Sequence, residues 1–410
     1  MLFGAALHKL GVSGSTAGAV VQAPQMRREQ SEMRGFASHE YVDGRRRVRR
    51  LFAAAAAMLL FAGVSAGGSL GALPPDPLQI VQNEIAGSLS PLPPLQFPKD
   101  DSSHPGNFVE YWQWWLHLKA GNGHRFGAVV VFYEFPATSA LDGSGHGVRR
   151  TDVRLTDLAT GAVHAFSKWY DGTPATAVPN GFNLSSLGQS ASGGGGNDRV
   201  HISVGGYSLE LTTKGNRPPI PIEAANGVNR VDPLEMLQIY ERWRMPTHGS
   251  ITFGGRSMPV TGTSWFEHGW GNAVSLVTIQ WDYFQLQLAD GRDILVAQVR
   301  HAGDTPNFDY VGGIRSKNGT LTRLHKGDFA ITSTGTWRRD ATCSYPSGWI
   351  VTVKGQRFVV TPTPQDQEVR SLYGNFWDGE TAISGASRGV GIAELLNYCY
   401  APSPFAQLGS

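Results

Sequence analysis

Charge is scarce in this chain, with Asp, Glu, Lys and Arg making up only 17% of its 410 residues. Residues 1–50 hold nine of the 35 basic and four of the 33 acidic side chains, which leaves 26 basic against 29 acidic in the remainder. A near-neutral, weakly acidic body lacks the electrostatic footprint of a nucleic-acid binder, so that class is set aside. Cysteine is scarcer still, limited to Cys343 and Cys399. No cysteine or histidine spacing matches a zinc site, and neither a metal nor a cofactor is expected. A Gly-x-Ser-x-Gly elbow, a P-loop, a dinucleotide fingerprint and an HExxH pair are all missing, so hydrolysis by a serine nucleophile has no support. No long amphipathic helix stands out. The one helix-like window, 232–243, opens on an Asp-Pro pair, yet Ile239, Tyr240 and Trp243 suit a strand equally well.

What is present points to short strands. Hydrophobic residues reach 41% and glycines number 51, and apolar runs alternate with turn dipeptides: Asn122-Gly123, Asp142-Gly143, Gly254-Gly255, Asp290-Gly291 and Asn318-Gly319. Strands are expected at 126–135, 151–157, 201–213, 275–289, 292–301, 329–334 and 348–354, with surface excursions at 191–198 and 216–230. Many antiparallel strands at regular spacing favour barrels or sandwiches. An aromatic cluster opening a strand that turns at glycine occurs twice, at Trp112, Trp114 and Trp115 and again at Trp281, Tyr283 and Phe284, which reads as a loose internal duplication.

The N-terminal portion reads differently. Five arginines between 45 and 50 precede the apolar run 51–64 and the small residues Val64, Ser65 and Ala66, as in a signal peptide. The run is short of the roughly 20 residues that a membrane span needs, so a retained anchor is the minor alternative. Initiation at Met26 or Met33 would bring the segment to ordinary length. Export to the periplasm or the extracellular space is expected, and contact with a membrane surface is left open. The expected divisions are 1–66 as N-terminal extension and signal peptide, 67–106 as a proline-rich linker, and domains at 107–262 and 263–403. In an oxidising compartment Cys343 and Cys399 can pair, contributing about 4 kcal/mol by loop closure; two separate buried thiols are the alternative.

Three motifs crowd ionisable groups among large aromatics. In the first, Glu110 shares a strand face with Trp112, Trp114, Leu116 and Leu118. A carboxyl so placed is either desolvated and able to hold a proton near neutrality, or sits at the strand mouth bonded to backbone. The second runs from Gly262 through Trp265, Glu267, His268 and Trp270, and reads as a catalytic device or as a structural corner. In the third, Asp282 is in phase with Phe284, Leu286 and Leu288, so a regular strand turns it inward unless a bulge intervenes.

These motifs resemble those of the carotenoid 1,2-hydratase (CrtC) and AttH-type lipocalin-like family. Glu110 to Leu118 is similar to its opening E-x-W-W strand, Ser264 to Gly271 to its A-W-x-D-H-x-W-G signature, and Trp281 to Arg300 to its W-D-W-F strand and hairpin. Arg244, Met245, Pro246, Gly249 and Gly254 resemble the segment leading into the centre. Trp377, Asp378, Gly379, Gly385, Gly391, Glu394 and Leu395 resemble its closing pattern. Glu267 stands where the family usually has aspartate, and Gly269 occupies the variable position before Trp270. The resemblance, over about 107–402, implies an all-β fold of two tandem lipocalin-like antiparallel barrels with the signature at their junction. Members add water to isoprenoid double bonds, hydrate a phytoalexin or close rings.

The expected activity is therefore hydration or isomerisation of a C=C bond in an apolar, isoprenoid- or lipid-like ligand. Asp282 or Glu267 would be the acid, His268 would orient or relay, and Glu110 is a further candidate. Trp112, Trp114, Trp265, Trp270, Trp281 and Tyr283 would wall the substrate cavity, because aromatic faces stabilise a carbocation. Carriage of a lipid without catalysis, or a purely structural envelope role, are the alternatives.

Overall fold

The computed structural model describes residues 93–105, 107, 109–135, 148–171, 178–222, 227–232, 235–271, 279–301, 307, 309–370 and 375–399. The segment read as a signal peptide, most of the expected linker and the expected turn at Asp142-Gly143 lie outside these residues.

Twelve strands form the first sheet: β1 (Val109–Ala120), β2 (Arg125–Phe135), β3 (Val148–Asp157), β4 (Ala162–Asp171), β5 (Phe182–Ser186), β6 (Gln189–Gly193), β7 (Asn197–Val204), β8 (Tyr207–Lys214), β9 (Ile220–Pro221), β10 (Val228–Asp232), β11 (Glu235–Phe253) and β12 (Arg256–Gly271). The second sheet contains β13 (Ile279–Leu288), β14 (Asp293–His301), β15 (Asp309–Arg315), β16 (Leu321–Leu324) and β17 (Phe329–Ser333). A separate hairpin follows, β18 (Thr336–Arg338) with β19 (Ser344–Pro346). The second sheet resumes with β20 (Trp349–Val353), β21 (Gln356–Pro362), β22 (Glu368–Val369), β23 (Phe376–Gly385) and β24 (Gly389–Leu396).

The duplication read from the aromatic clusters has a topological counterpart. The first sheet runs β4-β3-β2-β1-β12-β11-β8, and the second runs β16-β15-β14-β13-β24-β23-β21. In each, the opening strand pairs both with its hairpin partner and with the last strand, which curls the sheet towards a barrel. The domain division expected between 262 and 263 is corrected: β12 is continuous through it, paired with β1 from Val260 to Gly271, and the change of sheet comes between Gly271 and Ile279. The span 201–213 is two strands rather than one, turning at Gly205-Gly206. The glycines of 193–196 turn β6 into β7 and form no excursion, and the Gly195 N–H donates to buried Asp101 at 3.0 Å.

Both faces of β1 are buried, for different reasons. Its even positions Trp112, Trp114, Leu116 and Leu118 enter the first barrel with Phe126, Phe132, Tyr240 and Phe266. Its odd positions Tyr111 and Trp115 pack with Trp243, Trp265, Leu295, Val299 and Ile392 in a layer between the two sheets. The second barrel encloses Phe284, Leu286, Trp349, Phe358 and Trp377. Trp112, Trp114 and Trp270 belong to the first barrel's core.

A bulge in β11 lets one strand serve both layers. The register with β12 slips between Arg242 and Met245, and Arg244 takes a left-handed backbone with φ of 51°. Trp243 therefore faces the seam while Met245, also odd-numbered, faces the barrel. The displaced Arg244 guanidinium donates to Asp293 at 2.6 Å and to the backbone carbonyls of Leu288 and Arg292, clamping the β13–β14 hairpin to the first sheet.

Candidate active site between the barrels

The expected site residues fall in three separate places, because adjacent residues of a strand point to opposite faces. Glu110 and His268 lie inside the end of the first barrel, Glu267 lies in the seam between the sheets, and Asp282 closes the end of the second barrel.

Glu110 is not the proton-holding acid that its neighbours suggested. Its carboxylate accepts the His104 backbone N–H at 2.9 Å and meets His104 Nδ1 at 3.0 Å and His268 Nε2 at 2.9 Å. Burial alone would raise its pKa, but the hydrogen bonds from both histidines outweigh it and hold the carboxyl below the usual range. His268 is lowered by burial, against the pull of Glu110, and stacks on Trp112 with ring centres 4.7 Å apart. Trp270 stacks on His104 at 3.6 Å, and Trp114 donates to buried Asp198 at 3.2 Å.

Asp282 does point inward, on a strand of unbroken register, but not as a free acid. Arg300 donates to it at 2.9 Å, Gln298 at 2.7 Å, and the Tyr398 hydroxyl bonds it as well. Asp282 is thus one partner of a buried ion pair with Arg300.

The seam gathers what the chemistry needs. Four buried carboxyl groups, Glu241, Glu267, Asp378 and Glu394, are held by indole and phenol donors, and among the described residues no lysine or arginine bonds Glu241, Glu267 or Glu394. Glu241 accepts from the Trp265 indole at 3.0 Å, from the Tyr283 hydroxyl at 2.6 Å and from the Trp243 indole. Tyr111 donates to Glu267 at 2.6 Å. Glu394 accepts from Trp281 at 2.9 Å and from Gln113 at 3.1 Å, and Asp378 accepts from Trp115 at 3.1 Å. Tyr111 reaches Glu267 because position 269 has no side chain: a Cβ there would stand 2.6 Å from the phenol ring.

Burial and mutual repulsion raise all four acids. Glu267 stands well above the usual range through desolvation and the neighbouring Glu241 carboxylate. Glu241 is raised by desolvation but held back by its donors. Glu394 is raised well above its ordinary value by desolvation, then by Asp378 and Glu267. Asp378 is pushed to about 7 by desolvation, opposed by Arg154. Glu394 and Asp378 both line a narrow crevice with Gln113, Tyr133, Arg154 and Phe376.

Of the aromatic residues expected to wall a cavity, Trp265, Trp281 and Tyr283 are in this seam. Glu241, Tyr111, Gln113 and Trp115 were not singled out as site residues by the sequence, and Asp378 and Glu394 entered only through the closing pattern. A usable signal did exist: Glu241 between Ile239 and Trp243, and Glu394 between Ile392 and Leu396, are acids whose same-face neighbours are large and apolar. Cys343 and Cys399 are disulfide-bonded, with Cα atoms 5.0 Å apart.

No curated protein matches this chain in sequence. Among solved structures, a putative AttH of Nitrosomonas europaea aligns with a TM-score of 0.67 at 22% identity, over 76% of this chain and 100% of that one. Kievitone hydratase of Nectria haematococca aligns with a TM-score of 0.58 at 16% identity, over 74% of this chain and 93% of that one. Both share the fold of two tandem lipocalin-like barrels. The AttH-like family model matches residues 88–398, three quarters of the chain and both sheets, and the protein accordingly belongs to the AttH-like family.

Proposed function

We propose that the protein is an acid–base enzyme of the hydratase or isomerase type, acting on a C=C bond of a small, largely apolar molecule whose reacting end enters the seam crevice. The observation that carries this reading is the pair Glu394 and Asp378, which line one crevice with different proton affinities. Divergent pKa values in adjacent groups are how acid and base roles are divided at one pH. Glu394, raised above its ordinary range by burial and by the neighbouring Asp378, delivers its proton to one alkene carbon. Tyr133 and Phe376 face the resulting cation with their rings. In hydration a water oxygen bonds the second carbon and its proton passes to Asp378; in isomerisation Asp378 takes a proton from the adjacent carbon instead. Subsequent transfer from Asp378 to Glu394 resets the pair. Glu267 adds to the repulsion that raises Glu394.

The hydratase among the structural neighbours supports the reaction type by analogy of fold alone. The disulfide supports export to an oxidising compartment.

The test is proton exchange: incubation with terminal and trisubstituted alkenes in D2O, read by mass spectrometry. Wild-type protein should introduce deuterium or DOD, and Glu394→Gln should lose about 10²–10⁴ of that rate while staying folded. Equal rates in both proteins would remove Glu394 from the reaction.

A further inference from the structure

The histidine–carboxylate group inside the first barrel lies outside this mechanism and has a chemistry of its own. His104 precedes β1, Glu110 opens it and His268 is on β12. One donor atom from each lies within 4.8 Å of the others. Glu110 and His268 are almost fully buried, while the His104 side chain is 21% exposed, so the group has one opening to solvent.

Its hydrogen-bond pattern is short of protons. A neutral imidazole carries one N–H and one lone pair. His104 Nδ1 faces Glu110 Oε1 at 3.0 Å, and its Nε2 faces Asp100 Oδ1 at 3.7 Å. His268 Nε2 faces the same Glu110 oxygen at 2.9 Å, and its Nδ1 faces the Tyr240 hydroxyl at 3.4 Å. That hydroxyl already donates to Asp101 at 2.6 Å, so it can only accept from His268. Three of the four ring nitrogens thus have an acceptor within hydrogen-bond reach, whereas a pair of imidazoles in the neutral form carries only two N–H groups. The local charge has the same bias: Asp100, Asp101 and Glu110 are set against Arg242, which pairs with Asp101 at 2.8 Å.

We infer that His104 Nδ1, Glu110 and His268 Nε2 form a binding site for a divalent transition-metal ion of the zinc class, with its remaining position open to solvent beside His104. An ion between the two inner nitrogens and the carboxylate uses their lone pairs and leaves both N–H groups on the outer nitrogens. There Asp100 and the Tyr240–Asp101 pair accept them, the outer-shell arrangement that orients metal-bound imidazoles. Two nitrogens and one oxygen with an open position is a ligand set that zinc accepts. Bonds of about 2.0–2.1 Å at tetrahedral angles separate ligand atoms by about 3.3 Å, so the observed contacts of 2.9 and 3.0 Å need open by only a few tenths of an ångström.

The experiment is calorimetric titration of chelator-treated full-length protein with Zn²⁺, repeated with Co²⁺ to read its visible ligand-field absorption. One ion per chain is expected, with affinity reduced about 100-fold or more in His104→Ala and in Glu110→Gln. His104 is half-buried at the rim, so His104→Ala keeps the test valid if Glu110→Gln fails to fold; circular dichroism without metal verifies each variant. Absence of zinc uptake by folded wild-type protein, or uptake that His104→Ala leaves unchanged, overturns the assignment.

Discussion

Raising the pH should destabilise this protein through Asp378, the reverse of the usual behaviour of a carboxylate. Its pKa moves from an ordinary 3.8 to about 7 on folding, with burial as the largest cause. The native state therefore binds more protons than the unfolded state once the pH exceeds the unfolded pKa. Stability is fully present below about pH 4 and is lost as the pH rises through the folded pKa near 7. At about 1.4 kcal/mol per pKa unit, the whole shift corresponds to roughly 4 kcal/mol, of which about 2–3 kcal/mol falls between about pH 5 and 8. Asp378→Asn isolates this contribution, since an amide still accepts from the Trp115 indole, seen at 3.1 Å, but does not ionise. Urea unfolding of both proteins at the two pH values, disulfide intact, gives the comparison. Wild type should lose about 2–3 kcal/mol more than the variant on going to the higher pH. An identical pH response, or a larger loss in the variant, would refute the claim that Asp378 is a proton-holding group and with it the division of roles with Glu394.

Other consequences are open to measurement. Gly269→Ala places a Cβ 2.6 Å from the Tyr111 ring and should cost about 1–3 kcal/mol in chemical denaturation, with loss of the Tyr111–Glu267 hydrogen bond visible in the hydroxyl proton resonance. Cys343→Ser opens a loop of sequence separation 56 and should lower stability by about 4 kcal/mol; the variant should melt with reduced wild-type protein. Arg300→Met leaves Asp282 buried without its cation and should cost about 3–5 kcal/mol, whereas Arg300→Met with Asp282→Leu should recover most of that loss. Failure of the double variant to recover would return Asp282 to a role beyond packing.

The motifs that carried the family resemblance are local, and local reading placed them correctly on strands. The turn at Gly254-Gly255, with φ of 54° and 74° at its two glycines, and the alternation that turns Asp282 inward with Phe284 are dictated by the period of two and by glycine's freedom at positive φ. The repeat of aromatic strand and glycine turn likewise reflected a real doubling of topology. What β1 and β12 did not disclose is that both of their faces are buried, because nothing within one strand says that a second sheet covers its outer side.

The candidate site follows from that missing layer. Glu267 and His268 are neighbours in sequence and so cannot meet on one face; their partners come from elsewhere, Glu241 across a bulged strand and Glu110 across a paired one. Glu394 and Asp378 reach Gln113 and Trp115 only because the sheets stack, whereas Trp281 meets Glu394 across the paired β13 and β24. The triad at 104, 110 and 268 has no recognisable ligand spacing because the pairing of β1 with β12 joins residues distant in the chain. Composition, period and turn residues by themselves determined that this chain makes antiparallel strands and which side chains lie on each strand face. The stacking of one barrel on the other alone decided which of those faces became dry, and a carboxyl's proton affinity depends on that dryness and on partners far away in the chain.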